Sequence, residues 1–168
     1  MFLEEGADLL LRLEEGGAST AMNAGSQEEQ KKSPINGSIF GGVKMTDILI
    51  VEDEPAILDS LSFILGRNGW TVASARDGDL ALEAVRRLKP RMLLLDIMLP
   101  KKSGLDVLKA IRADPGMTKT AVVVLTARGQ QYDRELAAEL NADGFITKPY
   151  ANTDVVAEVR RMLALHHA

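Results

Sequence analysis

Three carboxylates, a hydroxyl and an ammonium punctuate the apolar runs of this sequence. Glu52 and Asp53 follow "ILIV" (48–51), and Asp96 closes "MLLLD" (92–96). Thr126 ends "AVVVLT" (121–126), and Lys148 follows "GFIT" (144–147). A carboxylate carried out of an apolar run is costly unless it meets water or a cation. Carboxylates crowded at one edge repel one another and raise a pKa unless a cation neutralises them. Oxygen donors without cysteine or a nearby histidine suit a hard ion, above all Mg²⁺. Mg²⁺ takes one or two carboxylates and keeps positions for water and phosphate oxygens. A lysine and a hydroxyl across the site suit the oxygens of a phosphoryl group. The set reads as a carboxylate nucleophile that accepts one. Taken singly, each residue has a plainer meaning: loop acids or helix caps, a strand threonine, a surface lysine.

That reading requires the five residues to meet, and the surrounding pattern provides for it. From Met45 onward, short apolar runs alternate with amphipathic stretches. Strands are expected at 48–51, 70–75, 92–96, 121–126 and 144–147. Helices are expected at 56–65, 78–89, 104–112, 131–141 and 152–165. Pro55 suits a first helical turn, Pro90 stops the second helix, and Asn152 or Thr153 is expected to cap the last. The runs at 48–51, 92–95 and 121–125 are apolar throughout instead of alternating. Strands covered on both faces look like this, which implies a parallel sheet with helices on each side. In such α/β sheets, function gathers beyond the carboxyl ends of the strands, where all five residues lie.

Composition sets the outer bounds. The chain has 168 residues, 46% hydrophobic and 26% charged, enough for one domain with a core. A net charge of −4 gives no nucleic-acid footprint. The lack of cysteine excludes disulfides and fits a reducing compartment. No apolar run reaches the roughly 18 residues of a membrane span. "ADLLLRL" (7–13) is too short and too acidic in its flank for a signal peptide. Residues 1–44 are rich in Gly, Ser, Asn, Gln and charge and read as a flexible or disordered leader, either an upstream extension or a segment introduced by cloning; 45–168 form the domain. Leu9, Leu10 and Leu13 can share a helix face, although a frayed turn without a partner is the plainer reading. "NGS" (36–38) matches a glycosylation sequon, but no export signal supports it.

Residues 45–165 resemble the receiver domain of two-component response regulators. Four motifs carry the resemblance: "VEDEP" (51–55), "LLLDIMLPKKSGLDVL" (93–108), "VVVLTA" (122–127) and "GFITKPY" (144–150). Their order and spacing together are specific. The resemblance implies a flavodoxin-like (CheY-like) fold, a doubly wound three-layer sandwich with strand order 2-1-3-4-5. It implies that Asp96 is the phosphoacceptor. Asp53 and Asp96 then ligate Mg²⁺ directly, Glu52 acts through water, and the Met98 carbonyl completes the protein's share. Lys148 pairs with the phosphoryl group and Thr126 hydrogen-bonds to it. Pro149 often follows a cis bond, and the small Ala127 leaves the acceptor open. Pro100 and Gly104 shape the loop after Asp96, while Met98 and Arg128 flank it. Phe145 stands at the aromatic switch position, where Tyr is frequent; plain core packing is the competing meaning.

The resemblance further implies a cytoplasmic signalling module that catalyses only its own phosphotransfer and autodephosphorylation. Its phosphodonor is a histidine kinase or histidine phosphotransfer protein. Its output is binding of an unknown protein target through the fourth helix, fifth strand and fifth helix, without nucleic acid or membrane. After the receiver only "HHA" remains, so a stand-alone receiver or one cut from a longer chain is expected; a frayed tail explains His166 and His167 better than a metal site does. Three other readings stay open. A phosphohydrolase resembling haloacid dehalogenases wants a second aspartate where Met98 stands. A flavodoxin-type cofactor binder wants a Ser/Thr/Gly-rich loop where "EDEPAI" stands. A receiver that docks unphosphorylated is disfavoured by the intact acidic set.

Overall fold

The computed structural model describes residues 45–127 and 130–166. Ten elements alternate: β1 (Ile48–Val51), α1 (Pro55–Arg67), β2 (Val72–Ala75), α2 (Gly78–Leu88), β3 (Met92–Asp96), α3 (Gly104–Ala113), β4 (Ala121–Ala127), α4 (Gln131–Glu139), β5 (Gly144–Lys148) and α5 (Asn152–Leu165). All four strand pairings are parallel, in the order β2-β1-β3-β4-β5. This is the flavodoxin-like, doubly wound sandwich that the sequence leads one to expect.

Two apolar layers explain why the central strands lack alternation. Leu49, Val51, Leu93, Leu95, Val122 and Val124 face α2 and α3, packing with Val85, Leu108 and Ile111. Their neighbours Ile48, Ile50, Met92, Leu94, Val123 and Leu125 face α1 and α5, packing with Leu61, Leu65, Val159 and Met162. Both faces of each strand are therefore buried, and a shift of one residue would exchange the layers.

Local chemistry sets the boundaries. Pro55 opens α1, Asp77 caps α2 by accepting from the Leu80 N–H, and Ser103 caps α3 by accepting from the Asp106 N–H. Most boundaries shift by one or two residues, and three differences stand out. β2 begins at Val72 instead of Trp70. The Thr71 N–H donates to Asp47 Oδ2 at 2.9 Å, and its carbonyl accepts from both Asp47 and Ile48. Those bonds fix the residue in a junction ahead of the ladder. α4 stops at Glu139, and Asn141 then takes a left-handed φ of +62°. At the start of α5, Ala151 occupies the cap position without a side-chain bond, so Asn152 and Thr153 fall inside the first turn.

β1 pairs with β2 on one side and β3 on the other, so the chain reverses its direction of travel at β1. The helices that follow β1 and β3 leave on opposite faces, opening a crevice beyond the ends of these strands.

Candidate functional site

Register carries the acidic residues to that crevice. Val51 pairs with Leu95, which sets Glu52 beside Asp96 at the ends of adjacent strands. Thr126 pairs with Thr147, and Ala127 with Lys148, at the ends of β4 and β5. Glu52 is 1% exposed, Asp96 5% and Thr126 2%, whereas Asp53 is exposed. One oxygen from each of Glu52, Asp53 and Asp96 lies within 4.8 Å of the others.

The Asp96 carboxylate is held at both oxygens. Oδ1 accepts the Met98 N–H at 2.9 Å, and Oδ2 accepts from Lys148 Nζ at 2.6 Å. Lys148 also donates to Glu52 Oε2 at 2.9 Å, while Glu52 Oε1 accepts the Glu54 N–H at 3.2 Å. A single ammonium thus bridges two buried carboxylates. Burial pushes the Glu52 carboxyl up, against the pull of Lys148. Burial pulls the Lys148 ammonium down, but its bonds to Asp96 and Glu52 outweigh that and leave it raised.

The loop after Asp96 returns through Gly104, whose N–H donates to the Ile97 carbonyl at 2.9 Å. A Cβ on Gly104 would collide with the Asp96 backbone carbonyl, so only glycine permits this approach. The Lys148–Pro149 bond is cis. Phe145 is half-buried against the α2–α3 layer, and the Arg134 guanidinium of α4 lies 5.1 Å from its ring centroid.

Every site residue expected from sequence therefore reaches this edge or the strand beside it, except Arg128, which lies outside the described residues. The Met98 side chain points away, 64% exposed, and only its main chain is engaged with Asp96. Two features lacked a sequence signal. Arg134 covers Phe145 from a helix whose polar composition gave no hint of partnership. Tyr150 lines a cavity of about 500 Å³ beside Lys148, with Ile57, Ser60 and Leu61 opposite. Its buried hydroxyl has no hydrogen-bond partner among the described residues, and burial pushes its pKa up.

Three clustered carboxylates with no nitrogen or sulfur donor fit a hard, oxygen-seeking divalent ion. No described helix is long and apolar enough to cross a membrane.

The model of the response regulator receiver domain family matches residues 48–160. The chain belongs to that family. The sensory transduction protein RegX3 of Mycobacterium tuberculosis is 40% identical to this receiver over 119 residues, 71% of this chain and 51% of RegX3. The DNA-binding response regulator MtrA of Mycolicibacterium smegmatis is 40% identical over 116 residues, 69% of this chain and 50% of MtrA. The chain spans about half the length of these curated relatives. Among solved structures, the receiver domain of a sensor histidine kinase from Pseudomonas aeruginosa superposes with a TM-score of 0.66 at 26% identity. The match covers 71% of this chain and 98% of that one, which is described with a magnesium ion coordinated in its active-site cleft.

Proposed function

We propose that this receiver accepts a phosphoryl group on Asp96 from a histidine kinase or histidine phosphotransfer protein, and so changes its affinity for a downstream protein. The observation that carries this reading is the Asp96 carboxylate, held at one oxygen by the Met98 N–H and at the other by Lys148. A nucleophile held in one orientation is placed for in-line attack.

In the transfer, an Asp96 oxygen forms a bond to phosphorus as the P–N bond of a phosphohistidine breaks, and the imidazole leaves. Lys148 is positioned to pair with the arriving oxygens, and the Thr126 hydroxyl to donate to one of them. Glu52, Asp53, Asp96 and the Met98 carbonyl would hold Mg²⁺, with Glu52 acting through water. When bound, that ion supplies positive charge to offset the carboxylates and the phosphoryl oxygens. Hydrolysis of the acyl phosphate resets Asp96, so the receiver works as a switch and not as an enzyme on a separate substrate.

The output surface in this reading is α4–β5–α5. Phe145 ties it to the site, because Thr126 and Phe145 belong to adjacent paired strands. Residues 45–168 form the functional unit, acting in the cytoplasm, and residues 1–44 are dispensable for it.

Incubation with a small acyl-phosphate or phosphoramidate donor and Mg²⁺ tests the reading. Mass spectrometry should find one phosphate, mapped to Asp96, and Asp96→Ala should abolish it. Phosphate on Asp53 in the intact protein would refute the assignment.

A further inference from the structure

The loop between Asp96 and Gly104 is closed at its base but carries the Met98 carbonyl on its exposed arm. Its tip is tied to a different element. Asp77, buried at the mouth of α2, divides its carboxylate between two tasks. Oδ1 caps the helix by accepting the Leu80 N–H at 2.9 Å, and Oδ2 accepts from Lys101 Nζ at 3.0 Å. Lys102 Nζ reaches Asp79 at 2.9 Å, in the first turn of the same helix. Beneath them Gly78 touches the loop so closely that a Cβ there would meet the Lys102 backbone carbonyl at 2.8 Å.

Lys101 has a left-handed φ of +64°, which a lysine does not adopt without cause. A tight backbone turn, in which the Lys102 N–H donates to the Pro100 carbonyl at 2.7 Å, sets this conformation, and the ammonium bound to the buried carboxylate holds it in place. A helix terminus fixed in the core therefore holds the tip of the acceptor loop, three residues beyond Met98.

We propose that Asp77 and Lys101 form a latch that positions the Met98 carbonyl for Mg²⁺, making Asp77 a positioning residue of the phosphoacceptor site. The proposal rests on the Mg²⁺ reading given above. Mg²⁺ demands near-octahedral geometry with short, uniform bonds, so small displacements of one ligand weaken it. Thermal stability, in contrast, depends little on a pair whose lysine is 67% exposed. The two measurements therefore separate positioning from mere folding.

The test is an amide-shift titration of the full chain with Mg²⁺, alongside thermal melts without the ion. Asp77→Asn keeps a cap-competent side chain but loses the charge, and Lys101→Asn keeps tolerance of a left-handed turn. Each should weaken Mg²⁺ about two- to five-fold, the scale of a partly exposed ion pair, and the double variant should be no weaker than either single. Lys101→Arg should restore the parent's affinity, with melting temperatures nearly unchanged throughout. Titration curves that superpose on the parent's would overturn the latch. So would affinity losses that simply track losses in melting temperature. A parent chain with no saturable response to Mg²⁺ would instead overturn the metal reading beneath it.

Discussion

Lys148 holds Asp96 from the far end of the sheet, its Nζ 2.6 Å from Oδ2. If the phosphoryl group displaces this carboxylate as the lysine's partner, Lys148 is the tether between the acceptor and β5. Lys148→Ala should therefore allow some phosphorylation but uncouple it from the output face. Thr126→Ala should do the same more mildly. With beryllofluoride as the acyl-phosphate mimic, parent resonances around Phe145, beneath Arg134, should shift strongly and the variants' weakly. Full responses in both variants would show that the coupling runs elsewhere.

Glu52 is held above the ordinary value of 4.5, chiefly by burial. A raised carboxyl keeps its proton in the folded state after the unfolded chain has lost it. The stability it contributes is complete below pH 4.5 and is lost as pH rises through the folded value. Glu52→Gln removes that loss, so its metal-free melting temperature should fall less than the parent's across this window. Equal slopes would place the titrating group elsewhere.

Gly104 faces the Asp96 backbone without room for a side chain. Because the obstacle is backbone, Gly104→Ala must displace either β3 or α3. A destabilisation of about 1–3 kcal/mol, the usual scale of overpacking, is expected in urea unfolding. Phosphorylation should fall more than stability alone predicts, since the displaced atoms belong to the acceptor strand. A variant as stable and as active as the parent would show that the approach relaxes freely.

Truncation to Met45 should leave a folded domain that still accepts phosphate. Residues 1–44 lack the periodic apolar content that a core requires, whereas the apolar runs of 48–165 form two buried layers. A large drop in melting temperature on truncation would reveal packing by residues 1–44.

Sequence pattern made the sheet legible because its central strands are apolar on both faces; Glu52, Asp96 and Thr126 stand at or just beyond the ends of such runs, and Lys148 at the end of the edge strand β5. Spacing alone showed where they meet. The remainder was hidden because it depends on side chains reaching between elements. Nothing at Asp77 marks it as more than a helix cap until Lys101 is seen beside it, 24 positions away. The Thr71 junction likewise requires Asp47, which pattern reads only as the residue before a strand. Arg134 on Phe145 depends on how α4 lies over β5, which no periodicity encodes.

The ion pair between Lys148 and Glu52 spans 96 positions, and its lysine lies on the edge strand, the last of the five to be synthesised. A chain emerging from the ribosome carries Glu52 and Asp96 well before it has the cation that bridges them. Until β5 docks, the mutual repulsion of Glu52 and Asp96 discourages their burial and withholds the acceptor's final posture. If Asp96 is the phosphoacceptor proposed above, its final arrangement waits on β5, and a chain ending before Lys148 should not accept phosphate there.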